Sequence, residues 1–327
     1  MKAIVCDRYG PPDVLRLEEV ERPTPQDDQV LVKVHASSLN AADLEVLGGA
    51  VSARIAGPFR PRNRIPGSDV AGRVVAVGRK TKRWKEGDAV FGDLFTCGHG
   101  AFAEYVAAPE DALMLKPDCI SFEDAATLPQ AAKIALQGLR GKRPLKEGQK
   151  VLINGAGGGM GTFAVQIAKY YGAKVTGVDS KRKLEMLRAI GADHVIDYAQ
   201  EDCTKGVERY DLILDTVARR SIFDYRRVMA RDGLFVLLGG SRYAIFQALL
   251  LGPLVSITSK KKMGINPWNV DNEEDLRFLL ELIKKGNLLP VIDRRCPLDK
   301  VPEALEALSK GLVKGKVVIT VDHDDEI

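Results

Sequence analysis

The eight residues from Asn154, NGAGGGMG, carry the most specific chemical signal in the chain; they follow the apolar run VLI and open the helical stretch TFAVQIAKYYG. Read from Ala156 the pattern is A-x-G-x-x-G, which puts Ala156, Gly158 and Gly161 at the three small-residue positions of a dinucleotide-binding turn. Each small residue has a mechanical reason: a tight turn, close backbone approach to a pyrophosphate, and close packing of helix on strand. The free N–H groups and positive end of the new helix suit a diphosphate. Asp179, 23 residues beyond Ala156 at the end of the next β-type run, has the chemistry to accept hydrogen bonds from ribose hydroxyls. Its charge repels a 2′-phosphate, which points to NAD. Ser180, Lys181 and Arg182 follow at once and have the donors to neutralise such a phosphate, so NADP remains open. The plainer role for Lys181 and Arg182 is a solvated helix start.

A turn of this kind needs a parallel sheet to carry it. From about residue 123 the chain alternates strand and helix patterns: KVLING, the helix after the glycines, AKVTGVD, the helix KRKLEMLRAI, HVIDY, YDLILDTV, a helix near Phe223, and LFVLLGG. Residues 125–262 therefore read as one doubly wound dinucleotide-binding domain. The preceding part is different, with short β-branched runs (VLVKVHASSL, VAGRVVAVG, DAVFGD) punctuated by Pro and Gly, as in an antiparallel or barrel-like module. After residue 262 come the acidic helix NEEDLRFLLELIKKG, the helix PEALEALSKG and the strand KVVITV. These suit a return to the first module, giving a discontinuous domain of residues 1–124 and 263–327.

Composition sets the outer bounds. The chain has 327 residues, about two domains' worth, with 45% hydrophobic and 28% charged residues, as expected of an ordinary water-soluble protein. With 48 Lys and Arg against 44 Asp and Glu, the net charge of +4 gives no reason to expect a nucleic-acid partner. Five scattered cysteines without a C-x-x-C pair argue against a disulfide framework. The opening MKAIVCDRYGPP has neither a signal-peptide core nor transit-peptide character, which points to the cytoplasm. The most apolar stretch, residues 244–258, is too short to span a membrane and is broken by Gly252 and Pro253. Followed by Ser259, Lys260, Lys261 and Lys262, it reads either as a membrane-touching surface or, with more weight, as a buried helix and sheet edge. The acidic tail, residues 322–327, reads as a frayed end.

The motifs in order resemble the zinc-less, quinone oxidoreductase-like (zeta-crystallin-type) branch of the medium-chain dehydrogenase/reductase superfamily, end to end. The resemblance rests on MKAIVCDRYGPPDVL, VHASSLNAADL, IPGSDVAGRVVAVG, GDAVFG, GAFAEYV, INGAGGGMGTFAVQIAKYYGAKVTGVD, GADHVIDY and PLDKVPEALEALSKGLVKGKVVITV. It implies a GroES-like β-barrel-type catalytic domain joined to a Rossmann domain, with the reaction between them and a homodimer as an expectation. At the cofactor it implies Gly158, Gly159, Met160 and Gly161 on the diphosphate, and Asp179, Ser180, Lys181, Arg182 and Tyr198 around the adenosine. Thr216 and Val217 would flank the ribose or adenine, and Leu238, Gly239 and Gly240 the nicotinamide side. Lys316 would reach in from the last segment. Tyr198 and Val217 are equally well read as packing residues.

Zinc-dependent relatives need a Cys, a His beside a Glu, and a further Cys or acid. The corresponding segments here are SSLNAADL and PGSDVAG, with Asn40 and Ser68 near the ligand positions. Cys97 and His99 have no partner Cys nearby and read as part of a Gly-rich turn; His35 reads as a residue on a strand face. Without a metal, hydride transfer depends on positioning and on donors aimed at the developing negative charge, which suits a conjugated C=C or a quinone. The resemblance places Asn40 and Asp43 on the substrate side and Lys133 where relatives commonly have Thr near the nicotinamide. Asn40 would donate its amide to the substrate oxygen. Asp43 would orient a neighbour or cap the following helix, and Lys133 would contact ribose, carboxamide or substrate unless it is a solvated lysine. Glu45, Val46 and Leu47 occupy the stretch where relatives carry a Tyr. Four arginines in one Pro-rich loop, Arg54, Arg60, Arg62 and Arg64, either guide an anionic substrate such as an enoyl thioester or are merely solvated. The expected activity is NAD(P)H-dependent reduction of quinones or α,β-unsaturated carbonyls. The alternatives are a zinc-independent alcohol dehydrogenase or carbonyl reductase, and a noncatalytic dinucleotide-binding sensor.

Overall fold

A computed structural model describes residues 1–323 other than 142, 241, 259, 266–268, 270 and 271. Ser259 and the tail beyond His323, both singled out in the sequence, lie outside the described residues. The chain forms two compact units, Met1–Gln130 with Val270–Leu276 and Ile292–Ile327, and Ala131–Asn269 with Arg277–Val291.

The first unit is built on a seven-stranded sheet. Its long central strand, Gln29–Ser38, alternates Val30, Val32, Val34 and Ala36 into a fully buried face. It pairs antiparallel with Asp69–Val77, Tyr105–Pro109 and the last strand, Lys316–Thr320. Ala89–Asp93 and Leu113–Leu115 extend the sheet on one side, and Ile292–Pro297 lies parallel to Lys316–Thr320 on the other. Two apolar clusters fill it, one around Val32, Val70, Val90 and Leu113, the other joining Ile4, Leu39, Phe102 and Leu305. The Pro-rich loop of the sequence begins with a helix, Val51–Ala56, preceded by another, Ala41–Leu47.

The second unit is a Rossmann sheet. Six parallel strands lie in the order His194–Asp197, Lys174–Asp179, Lys150–Asn154, Tyr210–Asp215, Met229–Leu237 and Lys262–Ile265. The order reverses between Lys150–Asn154 and Tyr210–Asp215, the switch point at whose carboxyl end such sheets bind dinucleotides. Leu152, Ile213, Phe235 and Tyr225 pack into its core. The architecture is thus the barrel-type domain plus doubly wound parallel sheet expected from the resemblance.

The units divide the chain differently from the sequence boundaries at 124/125 and 262/263. Lys262–Ile265 is the sixth strand of the Rossmann sheet, paired with Met229–Leu237. The acidic helix, Glu273–Lys284, lies mostly with that unit, because Phe278 stacks on Tyr171 at 6.4 Å and under the Arg140 guanidinium at 4.0 Å. The return to the first unit is completed by Ile292–Pro297 and Lys316–Thr320. Gly252 and Pro253 break the apolar stretch into two helices, Arg242–Leu250 and Gly252–Thr258. Among the described residues no helix is long and apolar enough to cross a membrane.

Candidate active site

In the second unit the glycines shape a tight passage from strand to helix. Gly155 has φ +80°, and a Cβ there would fall 2.3 Å from Thr216 Oγ1. At Gly161 a Cβ would meet the carbonyl oxygens of Gly155 and Ala156 at 2.2 and 2.5 Å. Both are packing requirements. Gly158 differs: a Cβ there meets only Gly155 O at 3.5 Å, so no protein atom demands glycine at that position. It is the N-cap of the helix Gly159–Tyr170, whose first amides, on Gly159, Met160 and Gly161, have no acceptor within the helix. Space and unspent donors at one point fit a pyrophosphate.

The neighbouring strand end is braced against this turn. Asn154 Nδ2 donates to Asp215 Oδ1 at 2.8 Å and to the Tyr225 hydroxyl at 2.9 Å. Thr216 donates its N–H and its hydroxyl to Asn154 O at 3.1 and 3.0 Å. Asp215 Oδ1 also accepts from Val217 N and Ala218 N, at 3.1 and 2.9 Å. These bonds set the Thr216 and Val217 backbone beside the glycine turn. Leu238 N donates to Asp215 O at 2.9 Å, and Gly239 and Gly240 follow it, Gly240 with φ +118°. Tyr198 is exposed, its N–H donating to Asp179 O at 3.2 Å.

Asp179 is buried, and both its oxygens meet protein donors. Oδ2 accepts from Gly157 N at 2.9 Å and Oδ1 from Ser180 N at 2.8 Å. Lys183 Nζ lies 3.3 Å from Oδ1, with both side chains less than a tenth exposed. The carboxylate holds the glycine turn and carries an internal counter-ion. Lys181 and Arg182 stand exposed on the 3-10 turn Lys181–Lys183. Sequence reading missed Lys183, which looked like one more surface lysine; its four-residue spacing from Asp179 was the available signal.

In the first unit, strand register brings Ser38 opposite both Asp69 and Val318, two residues from Lys316. Asp69 is fully buried and accepts from Ser38 Oγ at 2.7 Å, Asn40 Nδ2 at 2.8 Å and Gln130 N at 3.1 Å. Lys316 Nζ lies 3.4 Å from Asp69 Oδ2, and donates to Asn40 Oδ1 at 2.7 Å and Leu39 O at 2.9 Å. Lys316, expected at the cofactor, thus has its ammonium among Leu39, Asn40 and Asp69. Burial pushes its pKa down from the ordinary lysine value, while the Asp69 carboxylate opposes that shift. Asp69 went unread in the sequence, since its partner lies 247 residues away.

Asp43 is buried in the helix Ala41–Leu47, with Oδ2 accepting from Asn40 N at 2.8 Å, the helix-start role considered for it. Its Oδ1 has no hydrogen-bond partner among the described residues. Burial pushes the Asp43 carboxyl up to about 7, with the nearby Asp69 charge adding to the rise, and Asn40 N–H and Lys316 opposing it. Lys133, at the start of the helix Lys133–Arg140 in the second unit, is 2% exposed and so is not a solvated lysine.

The arginine loop divides. Arg64 pairs with Asp7 at 2.7 Å and Glu18 at 3.4 Å; Arg54 lies over the Tyr9 ring and donates to Gly49 O and Pro58 O, at 3.1 and 3.3 Å. Only Arg60 and Arg62 of the four stand exposed without a side-chain partner among the described residues. His35 stacks on Phe122 at 4.5 Å, and burial pushes it down to about 4. His99, with φ 60°, packs edge-on to Phe95 at 5.4 Å.

The comparisons with known proteins fit this arrangement. Residues 26–118 match the model of the alcohol dehydrogenase GroES-like domain, and residues 190–319 a model described as zinc-binding dehydrogenase. The chain is 36% identical to 2-methylene-furan-3-one reductase of Solanum lycopersicum, over 98% of this chain and 79% of that protein. It is 33% identical, with the same coverage, to the chloroplastic NADPH-dependent alkenal/one oxidoreductase of Arabidopsis thaliana. Among solved structures, the quinone oxidoreductase from Coxiella burnetii superposes with a TM-score of 0.87 at 31% identity, covering 98% of this chain and 99% of that one. The fold and site define a medium-chain dehydrogenase/reductase, and the chain belongs to the quinone oxidoreductase-like, zeta-crystallin-type branch of that family. Among the described residues no three His, Cys, Asp or Glu side chains converge on a point that would hold a metal ion.

Two outcomes follow from the geometry. Gly158→Ala should fold normally yet bind reduced cofactor at least tenfold more weakly, whereas Gly161→Ala should lose thermal stability itself; fluorescence titration and thermal melts read the two effects, and a Gly158→Ala protein with undiminished affinity contradicts the cradle. For Asp43, the folded protein retains a proton that the unfolded chain releases between about pH 4 and about pH 7, so this site's contribution to stability falls as pH rises through that window. Urea midpoints across the window should therefore decline less steeply in Asp43→Asn than in the parent.

Proposed function

We propose that this protein is an NADPH-dependent reductase of quinones and α,β-unsaturated carbonyl compounds, acting without a metal. The observation that supports the reading most is the open dinucleotide cradle at Gly158 in the second unit, and the first unit separately holds a buried amide donor at Asn40. When bound, the reduced nicotinamide supplies the hydride. The chain's own work is to hold the cofactor and stabilise the product oxyanion. The amides of Gly159, Met160 and Gly161 bind the pyrophosphate, and the cross-braced Thr216 and Val217 backbone confines the ribose side.

Hydride addition to an enone or quinone places negative charge on the conjugated oxygen. An amide N–H pre-positioned away from bulk water stabilises that charge with little reorganisation. Asn40 is suited to this, being 6% exposed, with one Nδ2–H given to Asp69 and no acceptor for the other among the described residues. A simple ketone would instead develop a more basic alkoxide, for which one neutral donor is a poor match.

The preference for NADPH is argued from Asp179. An acid at this position selects NAD by binding the ribose hydroxyls and repelling a 2′-phosphate. Here Lys183 neutralises the carboxylate, the Gly157 and Ser180 amides occupy it, and Lys181 and Arg182 stand exposed beside it. The relative from Arabidopsis thaliana is named as NADPH-dependent. This replaces the lean to NAD drawn from the sequence.

A panel of quinones, enones, enoyl thioesters and simple ketones, assayed with both reduced cofactors, tests the whole reading. Turnover is expected with NADPH on quinones or enones, and Asn40→Ala should lower kcat/KM about 100-fold, the scale seen when one oxyanion donor is removed. Cofactor binding without turnover on any class would identify a sensor instead. Lys183→Met should raise KM for NADPH about tenfold relative to NADH, since an unneutralised Asp179 then faces the 2′-phosphate; an unchanged ratio contradicts the assignment.

A further inference from the structure

Asn and Gln side chains have two orientations of nearly equal shape, and only one presents an N–H where it is needed. At Asn40 the surroundings settle the choice. Lys316 is a donor alone and lies 2.7 Å from one terminal atom of the amide, which must therefore be the oxygen. Asp69 accepts from the other, at 2.8 Å, which must be the nitrogen. Turning the amide over would set an N–H against the ammonium and the amide oxygen against the carboxylate, two buried mismatches at once. Lys316 is itself fixed, by Leu39 O at 2.9 Å and by Asp69 at 3.4 Å, with 1% of its side chain exposed.

We propose that Lys316 is a positioning residue for substrate reduction: its buried ammonium locks and polarises the Asn40 amide, so that the Nδ2–H not given to Asp69 is held for the substrate oxygen. A cation on the amide oxygen draws electron density from the nitrogen and makes the remaining N–H a stronger donor, as neighbouring bonds in a chain reinforce one another at low dielectric. Lys316 does not touch the substrate and moves no proton. The proposal rests on the reading of Asn40 given above and goes beyond it by naming what makes that amide effective.

The test is a cycle of variants in the full chain. Lys316→Met alone would strand the Asp69 charge, so the isosteric neutral pair Lys316→Met with Asp69→Asn is used. It is compared with Asn40→Ala and with the triple variant, reading kcat and KM for a quinone acceptor and the NADPH affinity by fluorescence. The neutral pair should lower kcat about tenfold with NADPH affinity within twofold, and should cost little further when added to Asn40→Ala. Losses that multiply in the triple variant, or a neutral pair with full kcat, overturn the role of Lys316 while leaving Asn40 in place. Full kcat in Asn40→Ala overturns the reading of Asn40 and this inference with it. Should the neutral pair fail to bind NADPH, the unaltered protein carries the same test. With asparagine labelled by ¹⁵N and Asn40→Ala used for assignment, adding a hydroquinone with NADP⁺ should shift one Asn40 side-chain N–H and leave its geminal partner in place. Movement of neither, or of both alike, overturns the proposal.

Discussion

A carboxylate removed from water must be given donors, and Asp69 shows how much of a fold that demand can organise. Three side chains and a backbone amide converge on it, from Ser38, Asn40, Lys316 and Gln130. They come from the end of the central strand, the turn after it, the start of the last strand and the segment that ends the unit's first stretch of chain. Removing either member of a buried ion pair strands the other, which typically costs about 3–5 kcal/mol, whereas replacing both by apolar groups is often tolerated. The pair is therefore better understood as fixing an arrangement than as adding stability, and the arrangement it fixes is the Asn40 amide.

The Rossmann unit solves a related problem with backbone instead of charge. Glycine is demanded at Gly155 and Gly161 by atoms of the protein, whereas at Gly158 a Cβ would meet only Gly155 O, at 3.5 Å. Asp179 joins the two kinds of constraint, since it ties Gly157 into the turn and must then be neutralised from within by Lys183. The residue expected to read the ribose is thereby also one that shapes the glycine turn.

The periodic elements were legible because their signal is local. All six strands of the parallel sheet except its last edge were visible as apolar runs, and the central strand of the first unit stood out by its alternating valines. The glycine turn was equally plain. What stayed hidden depends on distance along the chain. Nothing near Asp69 announces Lys316, and nothing near Asn40 says which way its amide faces. The helix Val51–Ala56 was hidden by the prolines after it, and Lys262–Ile265, four residues reading KMGI, gains its identity as a strand only from the neighbour it pairs with. The domain boundary moved for the same reason, since Phe278 declares its allegiance through Tyr171 and Arg140, not through its own helix pattern.

The position of Lys316 also bears on the order in which the molecule is made. Asn40 and Asp69 are made before the second unit, but the ammonium that contacts both is encoded after the whole of it. Domains usually complete themselves from the N-terminus during synthesis. Until Lys316–Thr320 is made, Asp69 lacks its ammonium and the central strand lacks one of its partners, whereas the second unit, drawn mostly from one continuous stretch, already has all six strands of its sheet. The strand Lys316–Thr320, made after the second unit, thus closes the unit whose central strand was made before it.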